Sequence, residues 1–117
     1  MKKRSIRVAI VGSRDFPKLS KVRRYVRGLP KGTIVVSGGA PGVDRAAVRE
    51  ARRCGLRVKI FLPDLERWGR RSFAIRNRKI ATYCDRLVAF HWNDSPGTAM
   101  TIGFAEALEK DVEIISR

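Results

Sequence analysis

Ser37-Gly38-Gly39-Ala40-Pro41-Gly42 stands directly after the apolar run Thr33–Val36 and directly before a stretch with helical spacing. In that stretch Val43, Ala46, Ala47, Ala51 and Cys54 recur at steps of three and four, leaving Arg45, Arg49, Arg52 and Arg53 for the other faces. Gly55 then stops the helix as a C′ glycine does. The same punctuation occurs twice more: Gly12-Ser13-Arg14-Asp15 follows Ile6–Val11, and Asp94-Ser95-Pro96-Gly97-Thr98 follows Leu87–Phe90. If the three runs are parallel strands of one sheet, all three loops lie at its carboxyl edge, where open α/β sheets bind their ligands.

The rest of the chain fits that geometry. Lys18 to Arg27 reads as a helix with Leu19, Val22, Tyr25 and Val26 on one side, and Leu56 to Leu62 reads as a strand. Ile75 to Tyr83 and Ala99 to Leu108 read as helices, and Val112–Ile115 as a final strand. A β-α-β-α-β-α-β-α-β order with right-handed crossovers gives a Rossmann-like three-layer sandwich, its five-stranded sheet mostly parallel.

At 117 residues the sequence reads as one domain, 1–117, large enough for a real core. Its basic start, Met1-Lys2-Lys3-Arg4, leads into too few apolar positions for a signal peptide or a membrane span, which predicts a soluble, cytoplasmic protein. Cys54 and Cys84 fall on predicted helices and are expected to be core-facing thiols. With His91 the sole histidine and no clustered cysteines, neither a zinc site nor any other metal or cofactor is expected.

Charge is the unusual property. There are 26 Lys and Arg against 11 Asp and Glu, and the excess is lopsided: residues 1–84 hold 23 basic and 5 acidic side chains, residues 85–117 hold 3 and 6. A polyanionic partner on the basic side is one reading, and nucleic acid bound through the surface of residues 1–84 is its concrete form. An arginine-rich surface of a heat-adapted protein is the other, and the absence of glutamine supports it.

The loops have a definite chemistry. Glycine lets the main chain approach a ligand and adopt positive φ, while a helix that starts there offers unpaired N–H groups carrying about half a positive charge. A phosphate satisfies both. Pro41 suits the first turn of the helix, and Asp44, one turn in, either stabilises the helix start or accepts hydrogen bonds from a ribose hydroxyl or from loop amides. Arg14 could present a guanidinium fork to phosphate oxygens. The first loop lacks the Gly-x-Gly-x-x-Gly fingerprint and no Gly-x-x-x-x-Gly-Lys-Ser/Thr loop occurs, which disfavours a Rossmann dehydrogenase and a P-loop NTPase.

Four motifs taken in order carry a resemblance: Val11-Gly12-Ser13-Arg14-Asp15-Phe16, Ser37 to Ala47, Arg76-Asn77-Arg78, and Asp85 to Phe90 with Gly97-Thr98. Together they are similar to the SLOG superfamily, and most similar to its small stand-alone bacterial and phage branch of YspA- and YpsA-like proteins. The resemblance implies a Rossmann-like fold with a site for nucleotides or nucleotide-derived ligands. It implies Gly12, Ser13, Arg14 and Asp15 at the ligand's rim, Gly38, Gly39, Ala40 and Gly42 as a phosphate cradle, and Asp44 beside it. Arg76, Asn77 and Arg78 would open a helix facing the pocket, and Gly97 with Thr98 would form a second phosphate-binding terminus.

Two other branches bear on activity. The Lonely Guy phosphoribohydrolases place a catalytic glutamate within a turn or so of their Pro-Gly-Gly-x-Gly-Thr motif. Here the first acid after Thr98 is Glu106, about 12 Å further along a helix. Asp15 and Asp44 are then the loop-edge carboxylates left for a weak nucleotide N-glycosidic hydrolase, and no residue is assigned as catalytic. The DNA-processing protein A group binds single-stranded DNA, which needs a positive groove and aromatic faces. Trp68, Phe73 and Trp92 could supply them, although Trp68 and Phe73 are expected to close a hydrophobic edge under a long loop. The leading expectation is therefore binding or sensing of a nucleotide-like small molecule, with single-stranded nucleic-acid binding as runner-up. No membrane partner is expected, and apolar helix faces would allow a homodimer.

Overall fold

The computed structural model describes residues 5–116, so the basic start Met1–Arg4 lies outside the described residues. Along the chain come β1 (Arg7–Gly12), α1 (Leu19–Arg27), β2 (Ile34–Ser37), α2 (Val43–Arg53), β3 (Arg57–Ile60), α3 (Leu65–Trp68), α4 (Arg71–Tyr83), β4 (Arg86–Phe90), α5 (Pro96–Ala107) and β5 (Asp111–Ile115). The five strands form one sheet in the order β3-β2-β1-β4-β5. Every pairing is parallel, in the register Val8 to Val35 and Arg86, and Gly12 to Phe90. The expected α/β Rossmann-like sandwich is the fold, and its sheet is wholly rather than mostly parallel.

Alternation along the central strands divides the core into two layers. Val8, Ile10, Val35, Val88 and Phe90 pack against Val22 and Val26 of α1 and against Val43, Ala47 and Ala51 of α2. Ala9, Val11, Val36, Leu87 and Ala89 pack against Ile80 and Ala81 of α4 and against Ile102 and Ala105 of α5. Both faces are covered, which is why β1, β2 and β4 read as continuous apolar runs. At the amino edge the Asp85 carboxylate accepts from the Arg7 N–H at 2.8 Å and pairs with its guanidinium at 3.2 Å. Asp85, part of the fourth motif, thus fastens the end of the sheet away from the glycine loops.

The segment between β3 and β4 departs from expectation. Its helix begins at Arg71 rather than Ile75, and the short α3 precedes it. Asp64 caps α3 by accepting from the Arg67 N–H at 3.2 Å, and Gly69, at φ 56°, ends it. Arg76, Asn77 and Arg78 therefore lie in the middle of α4, not at its start. Cys54 is also corrected: α2 stops at Arg53, which leaves that thiol exposed in the following turn, whereas Cys84 is buried.

Met100, Leu108 and Ile114, on or next to α5 and β5, are among the exposed large apolar side chains. Among the described residues no helix is long and apolar enough to cross a membrane, and no three His, Cys, Asp or Glu side chains cluster as metal ligands would.

Candidate functional site

A cleft of about 470 Å³ opens at the carboxyl edge between the ends of β1 and β4, with Val11, Gly12, Trp92 and Asn93 among its lining residues. This is where the strand order reverses: the chain leaves β1 towards β2 on one side and returns from β3 to β4 on the other.

Close backbone approach builds the cleft. A Cβ on Gly12 would lie 2.6 Å from the Phe90 carbonyl and 2.7 Å from Val43, so only glycine lets β1 end between β4 and α2. Gly42 adopts φ +86° with the Arg14 carbonyl 2.4 Å from any added Cβ, which locks the start of α2 under the first loop. Ser13 is buried and joins two loops: its N–H donates to Phe90 O, its hydroxyl donates to Trp92 O at 2.9 Å, and the Trp92 N–H donates back to that hydroxyl at 2.9 Å. At the rim the Asn93 amide donates to Asp15 at 3.2 Å across the same two loops, and Asn93 and Asp94 both hold positive φ.

The charged interior comes from α2 and α4. Asp44, only 5% exposed, accepts from the Ala40 N–H at 3.2 Å. Burial pushes its carboxyl up to about 6, against the pull of the Ala40 amide and then of the Arg76 guanidinium. Arg76 donates to the Gly38 carbonyl and, at 2.8 Å, to the Asn77 side chain. Burial works against its charge, Asp44 supports it, and Arg14 opposes it. Arg76 stays a cation nonetheless, since a guanidinium keeps its proton in proteins. Arg14 and Arg76 thus share the cleft with two carboxylates, the buried Asp44 beside Arg76 and Asp15 at the rim.

The remaining wall is the start of α5. Ser95, Pro96, Gly97, Thr98 and Thr101 line the cleft. A Cβ at Gly97 would meet nothing within 4 Å, so the first turn of that helix borders open space. Phe73 of α4 and Trp92 after β4 are also lining residues, Trp92 packing as well against the core layer beneath α1 and α2. Phe73 is 40% exposed and Trp68 38%, so neither closes a hydrophobic edge as expected; Trp68 stands outside the cleft with Arg67 and Arg71 over its ring.

Of the residues singled out in the sequence, Gly12, Arg14, Asp15, Ala40 and Asp44 line the cleft, as do Arg76, Asn77, Gly97 and Thr98. Ser13, Gly38 and Gly42 shape it from behind. Gly39 lines a neighbouring groove instead, and Arg78, exposed on α4, lines another with Arg7, Phe61 and Tyr83. One helical step of about 100° separates Asn77, which is buried towards the cleft, from Arg78, which is turned away. Glu106 is exposed and is not part of the lining; Asp15 and Asp44 are the carboxylates that are. Asn93, Ser95 and Thr101 were not singled out. Thr101 was within reach of helix geometry, because it stands one turn beyond Gly97 and donates to the Gly97 carbonyl.

The family model of DNA recombination-mediator protein A matches residues 1–65. The chain belongs to this family. Of the SLOG branches that its motifs resemble, the match thus singles out the DNA-processing one. DNA processing protein A from Streptococcus pneumoniae is similar in structure, with 25% identity and a TM-score of 0.84 over 97% of this chain and 51% of that one. The Helicobacter pylori protein, whose structure is described as showing a unique single-stranded DNA binding mode, aligns at 21% identity and a TM-score of 0.80 over 96% of this chain and 66% of its own. The structural-genomics target TM1055 aligns at 27% identity and a TM-score of 0.70, covering 92% and 72%. This member of the DNA recombination-mediator protein A family therefore spans about half the length of the pneumococcal protein. No curated protein sequence matches it.

Proposed function

We propose that this chain binds single-stranded nucleic acid, receiving a nucleotide unit in the cleft at the carboxyl edge. One observation carries the reading: Arg14 and Arg76, the aromatic residues Phe73 and Trp92, and the first turn of α5 all line a single cavity. A strand binder needs cations for its phosphates and ring faces for its bases, and these residues offer both side by side. Membership of the DNA recombination-mediator family and the basic bias of residues 1–84 support the same class of partner.

A second reading, a free nucleotide or nucleotide derivative, draws on the size of the cavity. About 470 Å³ falls within the usual range for small-ligand sites. Fluorescence anisotropy with labelled oligothymidylate, competed by mononucleotides, ranks the two. The strand reading expects Phe73→Ala to weaken oligonucleotide binding by about 1–3 kcal/mol, the value of one stacked base. Mononucleotides that compete as well as the oligonucleotide would move the free-ligand reading to first place, and an unchanged affinity in the Phe73 variant would remove the aromatic wall from the account.

A further inference from the structure

We infer that the groove between α2 and the end of β3 is the continuation of the strand path, holding the phosphates that flank the nucleotide in the cleft. This inference rests on the proposed strand binding and adds where the strand goes. Arg45, Arg49 and Arg52 line the groove, and Val48, Ile60 and Leu62 form its apolar floor. Arg45, Arg49 and Arg52 stand at i, i+4 and i+7, one stripe about 10 Å long on α2. All three are exposed, and none belongs to a salt bridge among the described residues. Arg53, next in sequence, differs: its guanidinium is committed to the buried Glu50 at 3.1 Å.

The groove and the cleft share a wall. Gly39 lines the groove and the next residue, Ala40, lines the cleft, so a strand crossing this loop passes from one to the other. A Cβ on Gly39 would press on Leu62 at 3.1 Å and on Ile60 at 3.3 Å, which puts these apolar side chains directly under the crossing point. Leu62 is 71% exposed, a large apolar side chain in the same lining as the three arginines. Cations along the sides and an apolar floor suit a polyanion that carries flat apolar bases, and a stripe of this length spans about two phosphates.

The test compares a thymidine dinucleotide with an oligothymidylate of about ten nucleotides, within the usual span of single-strand sites. It uses the parent, the R45E/R49E/R52E variant, the R45K/R49K/R52K variant and Arg76→Ala, each checked by circular dichroism. Charge reversal should leave the dinucleotide affinity unchanged, lower the long-oligonucleotide affinity at least about tenfold, and reduce the steepness of the log–log salt dependence by about 1.4, or two phosphates' worth. The lysine variant, which keeps point charges, should retain most of the long-oligonucleotide affinity and serves as a second check if the reversed variant folds poorly. Arg76→Ala should weaken both probes. Long-oligonucleotide binding untouched by charge reversal overturns the groove while leaving the cleft; both probes untouched by Arg76→Ala overturns the cleft reading itself. A change of oligomeric state without a change in affinity makes the groove a contact between copies and overturns the inference.

Discussion

Arg76 in the cleft and Arg49 on α2 are the same side chain in opposite situations. Arg76 is half-buried, held by the Gly38 carbonyl and the Asn77 side chain, and opposed by Arg14. Arg49 is exposed and joins no salt bridge among the described residues. The first has lost much of its hydration in the fold, so an arriving phosphate gains a preorganised, weakly screened partner. The second keeps its water until a polyanion displaces counterions, which makes its contribution salt-dependent and indifferent to ligand shape. A chain with so large a positive excess therefore holds two kinds of positive charge, one for a site and one for a surface.

Removing the buried carboxylate breaks the balance inside the cleft and has the largest expected effect. The Asp44 carboxyl sits at about 6 in the fold, against an ordinary value of 3.8, so the folded state binds the extra proton between those values. Stability contributed by the neutral form is then fully present below about pH 4 and is lost as the pH rises to about 6, a loss of about 3 kcal/mol. Asp44→Asn, which can still accept from the Ala40 N–H, should be more stable than the parent at pH 7 by up to that amount and equal to it below pH 4. Urea titrations at both pH values check this. A variant that is less stable at pH 7 would mean that the pairing of Asp44 with Arg76 outweighs the cost of burying its charge.

Arg76→Ala sharpens the comparison with the surface. It should cost oligonucleotide binding about 2 kcal/mol, the value of a charge-assisted hydrogen bond, with little change in the salt slope. Arg49→Ala should cost well under about 1 kcal/mol and reduce that slope. Equal losses in anisotropy titrations would erase the distinction between site and surface. Ser13→Ala acts on the frame instead. Loss of its two hydrogen bonds to the main chain of Trp92 should lower folding stability by about 1–2 kcal/mol, read as a shift in the urea midpoint at unchanged slope.

The strands were legible in the sequence because a sheet covered on both faces leaves uninterrupted apolar runs, as at Val8–Val11 and Leu87–Phe90. The segment from Asp64 to Ala74 was less so. Its arginines hide any apolar stripe, and the break between α3 and α4 rests on one cap and one glycine, Asp64 and Gly69. That three loops meet at one edge followed from topology. Which residues of those loops face the cavity did not, because it depends on contacts made far along the chain: Gly12 against Phe90 and Val43, Gly42 against Arg14, Ser13 against Trp92. The resemblance put Arg76, Asn77 and Arg78 at the opening of a helix, where Asn, a weak helix former, is at ease; Asn77 instead stands in mid-helix, where its side chain accepts from Arg76.

Trp92 supplies the most direct measurement of the central claim. It lines the cleft, and Trp68, the other tryptophan of the chain, stands outside it. In a Trp68→Phe variant the indole emission reports on the cleft alone, and titration with oligothymidylate at moderate salt should quench it saturably as a base reaches the ring. Arg76→Ala in the same background should shift that titration to higher concentration. Saturable binding by anisotropy with no change in Trp92 emission would put the nucleic acid elsewhere on the protein and contradict the account.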